Sequence, residues 1–339
     1  MADVSPFFVA TLSEKVLPAI SDQIIKFCPL LQQAKMKKAF QFKKGGASIE
    51  FFIRKSASAI GGTTTDYGQR TAKTTNPYAS LIVQWRQFDW RIMTSKFQQK
   101  RNMNASDRSR NFNSEAQQLK ELYQSATERI CNSIWGNGVA LDGNDLGPQI
   151  DGVQVINPTA NNTYATVDRT LAANAFFRNQ QLTVTNFDLD DNGNGVPNGV
   201  EKMKTLWNNC SVGKQAGDQQ NDALAQARAV PHLTLTDQTN YEKYENSLMG
   251  QYQYVGDEAD SIKKLAFHQA PIDFDTFCPA NQLHMFNFDH WRIWTTEDDS
   301  SLLSVYGEEV QGVLKILTIA TQLQQYCDKP SCNGVLAIS

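Results

Sequence analysis

Two extended segments that flank a long polar tip constrain the fold of this sequence more than any other feature. Residues 39–54 and 76–94 are rich in β-forming residues, and the tip from Ser56 to Thr75 is rich in Ser, Thr, Gly and Ala. A compact sheet rarely contains a hairpin with so long a loop, and such loops are commonly functional or disordered. We therefore predict a two-stranded arm over residues 39–94 that reaches out to another subunit.

The apolar residues of the second segment change side along the strand. Leu81 and Val83 occupy odd positions, whereas Phe88 and Trp90 occupy even positions. Because successive side chains of a strand point to opposite faces, one uninterrupted strand would turn these two pairs to opposite sides. The pattern predicts a bulge or a sharp twist near Gln87.

The charge of the chain is unevenly distributed. From Lys35 to Arg101 it has fourteen Lys and Arg against three Asp and Glu, a net +11, while the whole chain carries −3. Such a region is typical of a solvated basic face, of a nucleic-acid surface or of an arm that docks on acidic neighbouring copies. We favour the third interpretation, because the rest of the chain is acidic. The candidate inter-subunit contacts are Lys43, Lys44, Arg54, Lys55, Arg70, Lys73, Trp85 and Arg86.

Residues 114–135 should form a long amphipathic helix. Ser114 begins a capping-box pattern, and Leu122, Ala126 and Ile130 belong to one apolar stripe. A Gly-Asn-Gly stop follows the stripe. Downstream, helix and strand patterns mix without regular alternation, which predicts an α+β fold.

The acidic segment 188–198 resembles the first half of a calcium-binding loop. Counted from Asp188, the acids Asp188 and Asp190 fall on positions 1 and 3 of an EF-hand loop, and Gly193 falls on position 6. The twelfth position, which should be a glutamate, is then Gly199. This register favours a surface turn over a metal site.

The other reactive residues form no recognisable catalytic or metal pattern. The six cysteines are scattered, and we expect reduced thiols. Cys278, His284 and His290 follow one another at six-residue steps, which is not a usual zinc spacing, so we expect structural histidines. Asp273 and Asp275 would share one face of a strand but lack a nearby base or nucleophile. We expect no enzymatic activity, no catalytic residue, no cofactor and no metal.

Short motifs follow one another in order along the second half of the chain. They are Ile150-Asp151-Gly152-Val153, Val167-Asp168-Arg169-Thr170, Phe176-Phe177-Arg178-Asn179-Gln180, Leu265–Ile272 with Asp275, Cys278-Pro279-Ala280-Asn281, Phe286-Asn287 and Asn333-Gly334-Val335-Leu336. Together with the arm, the hairpin and the long helix, they resemble the major capsid proteins of tailed bacteriophages, which adopt the Hong Kong 97 type fold. Phe176-Phe177 stands where that family has a Trp pair, and the acidic segment 188–198 has no counterpart in the pattern.

The resemblance implies a division of the chain into five parts. They are an N-terminal arm (1–38), an extended hairpin called the E-loop (39–94), a peripheral domain with a spine helix (95–181, helix 114–135), an axial domain (182–320) and a C-terminal strand that returns to the peripheral domain (321–339).

The resemblance also implies a function in self-assembly. The chain would form pentamers and hexamers of an icosahedral shell around double-stranded DNA, with a scaffolding protein and a portal as partners during assembly. It would be made in the cytoplasm of a host bacterium and would end in the virion. No membrane span is expected, because no apolar run approaches the roughly 18 residues that a span needs.

Two other functions stay open. The first is the shell protein of an encapsulin-like nanocompartment, which would share the fold and enclose a protein cargo. The second is a nucleic-acid-binding protein that uses the basic region 35–101.

Overall fold

The structure is a computed structural model. It describes residues 17–43, 48–54, 78–95, 114–140, 148–191, 193, 195–211, 230–248, 265–268, 270–296, 303–311 and 314–339. These residues form two compact units. Unit 1 draws on the ranges Met1–Ala47, Trp85–Ile150 and Ile293–Gln325, and unit 2 on Ser48–Gln84, Asp151–Arg292 and Tyr326–Ser339.

Three helices belong to unit 1. They are α1 (Leu17–Phe27), α2 (Pro29–Met36) and α3 (Ser114–Trp135). Helix α3 has the predicted bounds, and its stripe residues Leu122, Ala126, Ile130 and Ile134 are buried. One side of α3 packs on strand β4 and on α1, because burying this stripe removes apolar surface from water. The prediction of a long amphipathic helix is confirmed.

Unit 1 also contains most of a five-stranded sheet. Its strands are β1 (Phe40–Phe42), β4 (Arg86–Ser95), β12 (Trp291–Thr295), β13 (Ser304–Gln311) and β14 (Leu314–Cys327). The long strand β14 is central: it pairs antiparallel with β13 and, from Leu314 opposite Ser95 to Leu323 opposite Arg86, with β4. Strand β1 lies parallel to β12.

A separate antiparallel hairpin joins β2 (Ser48–Arg54) to β3 (Tyr78–Gln84). Its register runs from Ser48 opposite Gln84 to Arg54 opposite Tyr78. The predicted arm, 39–94, thus covers more of the sequence than the β2–β3 pair, since β1 and β4 pair with β12 and β14 instead. The predicted polar tip, Ser56 to Thr75, lies outside the described residues.

The core of unit 2 is a six-stranded mixed sheet in the order β7-β15-β11-β8-β10-β9. The strands are β7 (Gln180–Val184), β8 (Leu233–Thr236), β9 (Ala266–Phe267), β10 (Ala270–Phe274), β11 (Gln282–Phe286) and β15 (Gly334–Ile338). Helix α5 (Asn198–Ser211) packs on β7 and β15, and helix α6 (Gln238–Leu248) packs on β10. Met203, Leu206 and Trp207 of α5 bury their side chains in the core cluster of this unit.

Between the two long helices, α3 and α5, unit 2 contains short elements. They are α4 (Val153–Ile156), β5 (Thr163–Tyr164), β6 (Val167–Asp168) and a 3₁₀ segment (Ala172–Phe177), and a second 3₁₀ turn follows later (Pro330–Cys332). Among the described residues, no helix combines the length and apolar composition that crossing a membrane requires.

The sheet pairings show which strands the last two expected parts of the chain contain. The expected axial domain, 182–320, includes residues 303–320, whose strands β13 and β14 belong to the five-stranded sheet of unit 1. The expected C-terminal part, 321–339, contains residues of two strands, β14 and β15. Its residues up to Cys327 extend β14, whereas β15 lies between β7 and β11 in the sheet of unit 2. The pairings of β14 with β4 and of β15 with β7 join distant parts of the chain, and a local sequence pattern does not contain that information.

Candidate assembly surface and buried polar network

The β2–β3 hairpin has one buried face and one exposed apolar face. Ile49 and Ile53 of β2 and Leu81 and Val83 of β3 are buried. On the opposite face, Phe52 is 69% exposed, Tyr78 is 44% exposed and Ile82 is 41% exposed. The described strands therefore lie against their own chain with one face and offer aromatic and aliphatic side chains to solvent with the other.

The exposed face is continuous across the two strands. Phe52 lies opposite Ser80, and Ile82 lies opposite Glu50. Ser80 donates a hydrogen bond of 2.5 Å from its hydroxyl to the Glu50 carboxylate. We call Glu50, Phe52, Tyr78, Ser80 and Ile82 the outer hairpin face.

The change of side along the second segment is confirmed. Burial falls on odd positions in β3 and on even positions, Phe88 and Trp90, in β4. The break lies at Trp85, the single residue between the two strands, which is two residues before the predicted Gln87. On β4, the rings of Phe88 and Trp90 stack with their centroids 6.2 Å apart.

The structure places three of the predicted contact side chains. The Lys43 ammonium lies 4.3 Å from the centroid of the Trp294 ring, and the backbone N–H of Lys43 donates to Thr295 O at 3.0 Å. The indole N–H of Trp294 in turn donates to Gln41 Oε1 at 2.9 Å. Lys43 thus holds β1 against β12, and the structure does not bring it together with Trp85 and Arg86.

Trp85 and Arg86 are half-buried at the break between β3 and β4. The Nε1 of Trp85 and the Nε of Arg86 are buried, and neither has an acceptor among the described residues. Part of each side chain therefore packs inside its own chain. For Arg54 the structure describes the backbone in β2, and Lys44, Lys55, Arg70 and Lys73 lie outside the described residues.

Sequence reasoning did not include the outer hairpin face among the contact residues. Its signal was the even-numbered series of β3, Tyr78, Ser80 and Ile82, which alternates with the buried series. Because both the odd-numbered and the even-numbered residues of β3 include apolar side chains, the sequence of β3 is also consistent with a strand that is buried on both faces. The pairing with β2 was needed to show which of the two faces solvent.

A buried network joins motif residues that are far apart in the sequence. The side-chain amide of Asn157 donates to Gly334 O at 2.8 Å, and its Nδ2 lies 3.3 Å from Nδ1 of His284. Asn179 Nδ2 donates to Asn157 Oδ1 at 2.7 Å. Buried polar groups that are fully hydrogen-bonded fix one arrangement of the segments that carry them. This network fastens the loop-rich stretch after α3 to the six-stranded sheet.

A second set of contacts surrounds Asn333. Its side-chain oxygen accepts from the Asn287 backbone N–H at 2.7 Å, and its Nδ2 lies 3.2 Å from the Cys327 sulfur. The Cys327 backbone N–H donates to the Tyr164 hydroxyl at 2.9 Å. Burial raises the pKa of both the Cys327 thiol and the Tyr164 phenol well above their usual values. These groups are neutral at physiological pH, and their role is structural.

Arg169 is a fully buried arginine that binds backbone oxygens. Its guanidinium donates to Ile156 O at 2.8 Å, to Val155 O and to the side-chain oxygen of Asn162. The guanidinium also lies 5.4 Å from the centroid of the Tyr164 ring. Burial lowers the pKa of Arg169 to about 10, so the side chain stays charged at neutral pH.

His284 and His290 occupy opposite environments. Complete burial lowers the pKa of His284 to about 3, so its ring is neutral. For His290, burial acts to lower the pKa, but hydrogen bonds with Asp328 and Cys332 outweigh it and raise the pKa to about 10. The His290–Asp328 bond is 2.9 Å long. Each ring makes hydrogen bonds within unit 2, as structural histidines do.

Asp273 and Asp275 end strand β10 and shape the turn after it. Asp275 is 2% exposed, and its carboxylate accepts from the Phe277 backbone N–H at 3.0 Å. The Asp273 carboxylate accepts from the Phe274 backbone N–H at 3.0 Å. These contacts are local turn contacts. Among the described residues, no group of three or more His, Cys, Asp and Glu side chains is placed to hold a metal ion.

Three solved structures to which the chain is similar are capsids. The chain is similar to a chain of the cyanophage A-1(L) capsid asymmetric unit, with a TM-score of 0.63 and 14% identity over 87% of this chain and 89% of the other. It is similar to the capsid of a native GTA particle, with a TM-score of 0.54 and 8% identity over 90% of each chain. It is also similar to the capsid of Myoviridae Phage XM1, with a TM-score of 0.52 and 10% identity over 90% of this chain and 92% of the other.

The chain therefore has the fold of a phage capsid protein. The particular form is the Hong Kong 97 type fold expected from the motifs, with the spine helix α3 and the two sheets in place. At these identities the likeness shows the fold alone. No model of a protein family matches the sequence, and no curated protein matches it either.

Proposed function

We propose that this chain is the major capsid protein of a tailed bacteriophage, which assembles into pentamers and hexamers of an icosahedral shell. The observation that carries the proposal is the fold likeness to capsid proteins, because it covers 87–90% of this chain and a matching share of the others.

The outer hairpin face supplies the surface argument. Phe52, Tyr78 and Ile82 lie on one side of a two-stranded hairpin whose other side is already buried. Contiguous apolar patches on a soluble chain usually mark a place where a partner binds. In this proposal a neighbouring subunit covers the outer hairpin face, and the basic residues of the hairpin region, Lys44 to Lys73, bind acidic groups of that neighbour.

The other partners follow from the same proposal. Packaged double-stranded DNA lies against the inner face of the shell, and a scaffolding protein and a portal act during assembly. Assembly takes place in the cytoplasm of the host bacterium, and the finished subunit is part of the virion.

The first test is electron microscopy of the expressed chain, alone and together with the scaffolding protein of the same phage. We expect closed shells of uniform diameter. Monomers or small oligomers under both conditions would contradict the proposal. Shells isolated from infected cells should contain genomic DNA, whereas shells that contain a protein cargo would instead identify an encapsulin-like compartment.

The second test addresses the outer hairpin face through Phe52→Ser. Covering a Phe side chain that is 69% exposed contributes about 1–2 kcal/mol per contact. Since about 1.4 kcal/mol is tenfold in an equilibrium constant, the subunit concentration at which shells form should rise roughly tenfold. Light scattering over a concentration series measures it.

The matched control is Leu171→Ser, which changes an exposed apolar residue (55% exposed) that is not part of strands β2 and β3. It should leave the assembly concentration within about twofold of the wild-type value, an allowance of about 0.4 kcal/mol. If both variants assemble like the wild type, the outer hairpin face is not an assembly contact. Circular dichroism of the unassembled variants checks that both are folded.

A further inference from the structure

The loop before helix α5 contains a complete calcium-loop pattern when it is counted from Asp190. The twelve-residue EF-hand loop has Asp at position 1, Asp or Asn at positions 3 and 5, Gly at position 6 and Glu at position 12. Here these positions are Asp190, Asn192, Asn194, Gly195 and Glu201. Counted from Asp188, the loop has a glycine where the twelfth position requires Glu. Counted from Asp190, every fixed position of the pattern has a residue of the required type.

The described residues of the loop have the backbone that this pattern requires. Gly195 has a φ of +77°, in the region that favours glycine, and there is open space where its Cβ would lie. Its N–H donates to Asp190 Oδ2 at 2.6 Å, which closes the loop from position 6 to position 1. The sharp turn at the sixth position is therefore formed.

Helix α5 begins where the exit helix of such a loop should begin. It starts at Asn198, position 9, and contains Glu201 in its first turn. Glu201 is therefore carried by a regular helix and not by a free loop. An acidic side chain in a first turn is also favoured by the helix dipole, so the position suits a carboxylate before any ion binds.

Both ends of the loop are anchored to the core of unit 2. Phe187 is buried at 1% exposure, and its ring lies 2.2 Å from the place where a Cβ on Gly199 would be. The Gly199 N–H donates to Phe187 O at 3.0 Å, and the Asn198 N–H donates to Leu189 O at 2.8 Å. The segment that carries the first and last ligand positions is thus held in place, which lowers the ordering cost of binding an ion.

We propose that residues 190–201 bind a calcium ion. The ligands among the described residues are the carboxylates of Asp190 and Glu201 and the backbone carbonyl of Val196 at position 7. Oxygen donors of this kind suit Ca²⁺, and the flexible number of ligands favours it over Mg²⁺. With two carboxylates in the set, affinity belongs at the weak end, on the order of 10⁻⁴ M. The proposal does not depend on shell assembly.

Isothermal titration of the full chain, freed of metal with a chelator, tests the site with CaCl₂ as the probe. We expect one Ca²⁺ per chain, with binding at least tenfold weaker for MgCl₂. Glu201→Gln and Asp190→Asn should each weaken Ca²⁺ binding at least tenfold. Glu201→Asp keeps the charge but shortens the side chain, and it should weaken binding as well because it loses two-oxygen coordination.

Asp188→Asn is the matched control, because it removes the same charge two residues outside the loop. Its Ca²⁺ affinity should stay within about twofold of the wild-type value. Wild-type chain that takes up no Ca²⁺ at millimolar concentration would overturn the proposal. A loss with Asp188→Asn as large as with Glu201→Gln would also overturn it, since it would show a diffuse acidic patch in place of a defined loop. Hydrogen exchange should show Ca²⁺-dependent protection of amides 190–201 in the wild type and none in Glu201→Gln, and equal protection in both would contradict the assignment.

Discussion

Acidification from pH 7 to pH 5 should destabilise the chain through His284. The ring is completely buried, with Nδ1 3.3 Å from Asn157 Nδ2 and Nε2 3.1 Å from Gln282 Oε1. A neutral ring with its proton on Nε2 satisfies both contacts, because Nδ1 accepts and Nε2 donates. Protonation of Nδ1 would place two donors against each other in a buried site. The pKa of His284 in the folded chain is accordingly lowered to about 3.

The magnitude follows from the difference between the folded and unfolded states. An unfolded His has a pKa of about 6.5, so between about pH 6.5 and 3 the unfolded chain binds a proton that the folded chain excludes. The free energy of unfolding should then fall by about 1.4 kcal/mol per pH unit. At pH 5 the loss that is due to His284 is about 2 kcal/mol.

Equilibrium urea unfolding of the unassembled chain, followed by tryptophan fluorescence from pH 5 to 9, measures this loss. His284→Gln removes the titrating ring and should remove about 2 kcal/mol of the difference between pH 7 and pH 5. His268→Gln is the matched control, because His268 is exposed, and it should keep that difference. If His284→Gln retained the whole acid-dependent loss, the assignment of the pH dependence to this ring would be wrong.

Three further changes should alter stability in ways that urea unfolding can measure. The pKa of His290 is about 10 in the folded chain, above its unfolded value. The stabilisation of the folded chain by protonated His290 is therefore complete below about pH 6.5 and is lost as the pH rises towards 10. His290→Gln should flatten this alkaline decline in the free energy of unfolding. Arg169→Met should cost about 3–5 kcal/mol, because it leaves several buried oxygens without a donor, and a cost below about 1 kcal/mol would refute this role. Gly334→Ala places a Cβ 2.6 Å from Leu206 Cδ1 and should lower the free energy of unfolding by about 1–3 kcal/mol. An unchanged urea midpoint would show that helix α5 moves to accommodate the added methyl group.

Local patterns predicted the elements that are stabilised locally. Helix α3 had the predicted bounds because its apolar stripe and its Gly-Asn-Gly stop lie within one stretch of sequence. The break between β3 and β4 was predicted within two residues, because the alternation of buried and exposed side chains can be read from the sequence of each strand by itself.

Contacts between distant segments were not predictable in this way. The boundary of unit 1 depends on β14 pairing with β4, and nothing in the sequence of either strand indicates which strand it pairs with. The network of Asn157, Asn179 and His284 joins three segments, each of which looks like an ordinary polar loop or strand alone. The calcium-loop pattern was present in the sequence throughout, and the bond between Asp190 and Gly195 indicated the register in which to count it.

The position of β15 also has a consequence for synthesis of the chain. This strand is the last of its sheet to leave the ribosome, yet in space it lies between β7 and β11. The sheet of unit 2 cannot close until residues 334–338 have emerged, so β7 and β11 lack the strand between them for as long as these residues are missing. A message truncated before codon 334 would yield a product with both edges exposed, and ribosome-bound chains of this length should be the form that most needs a chaperone.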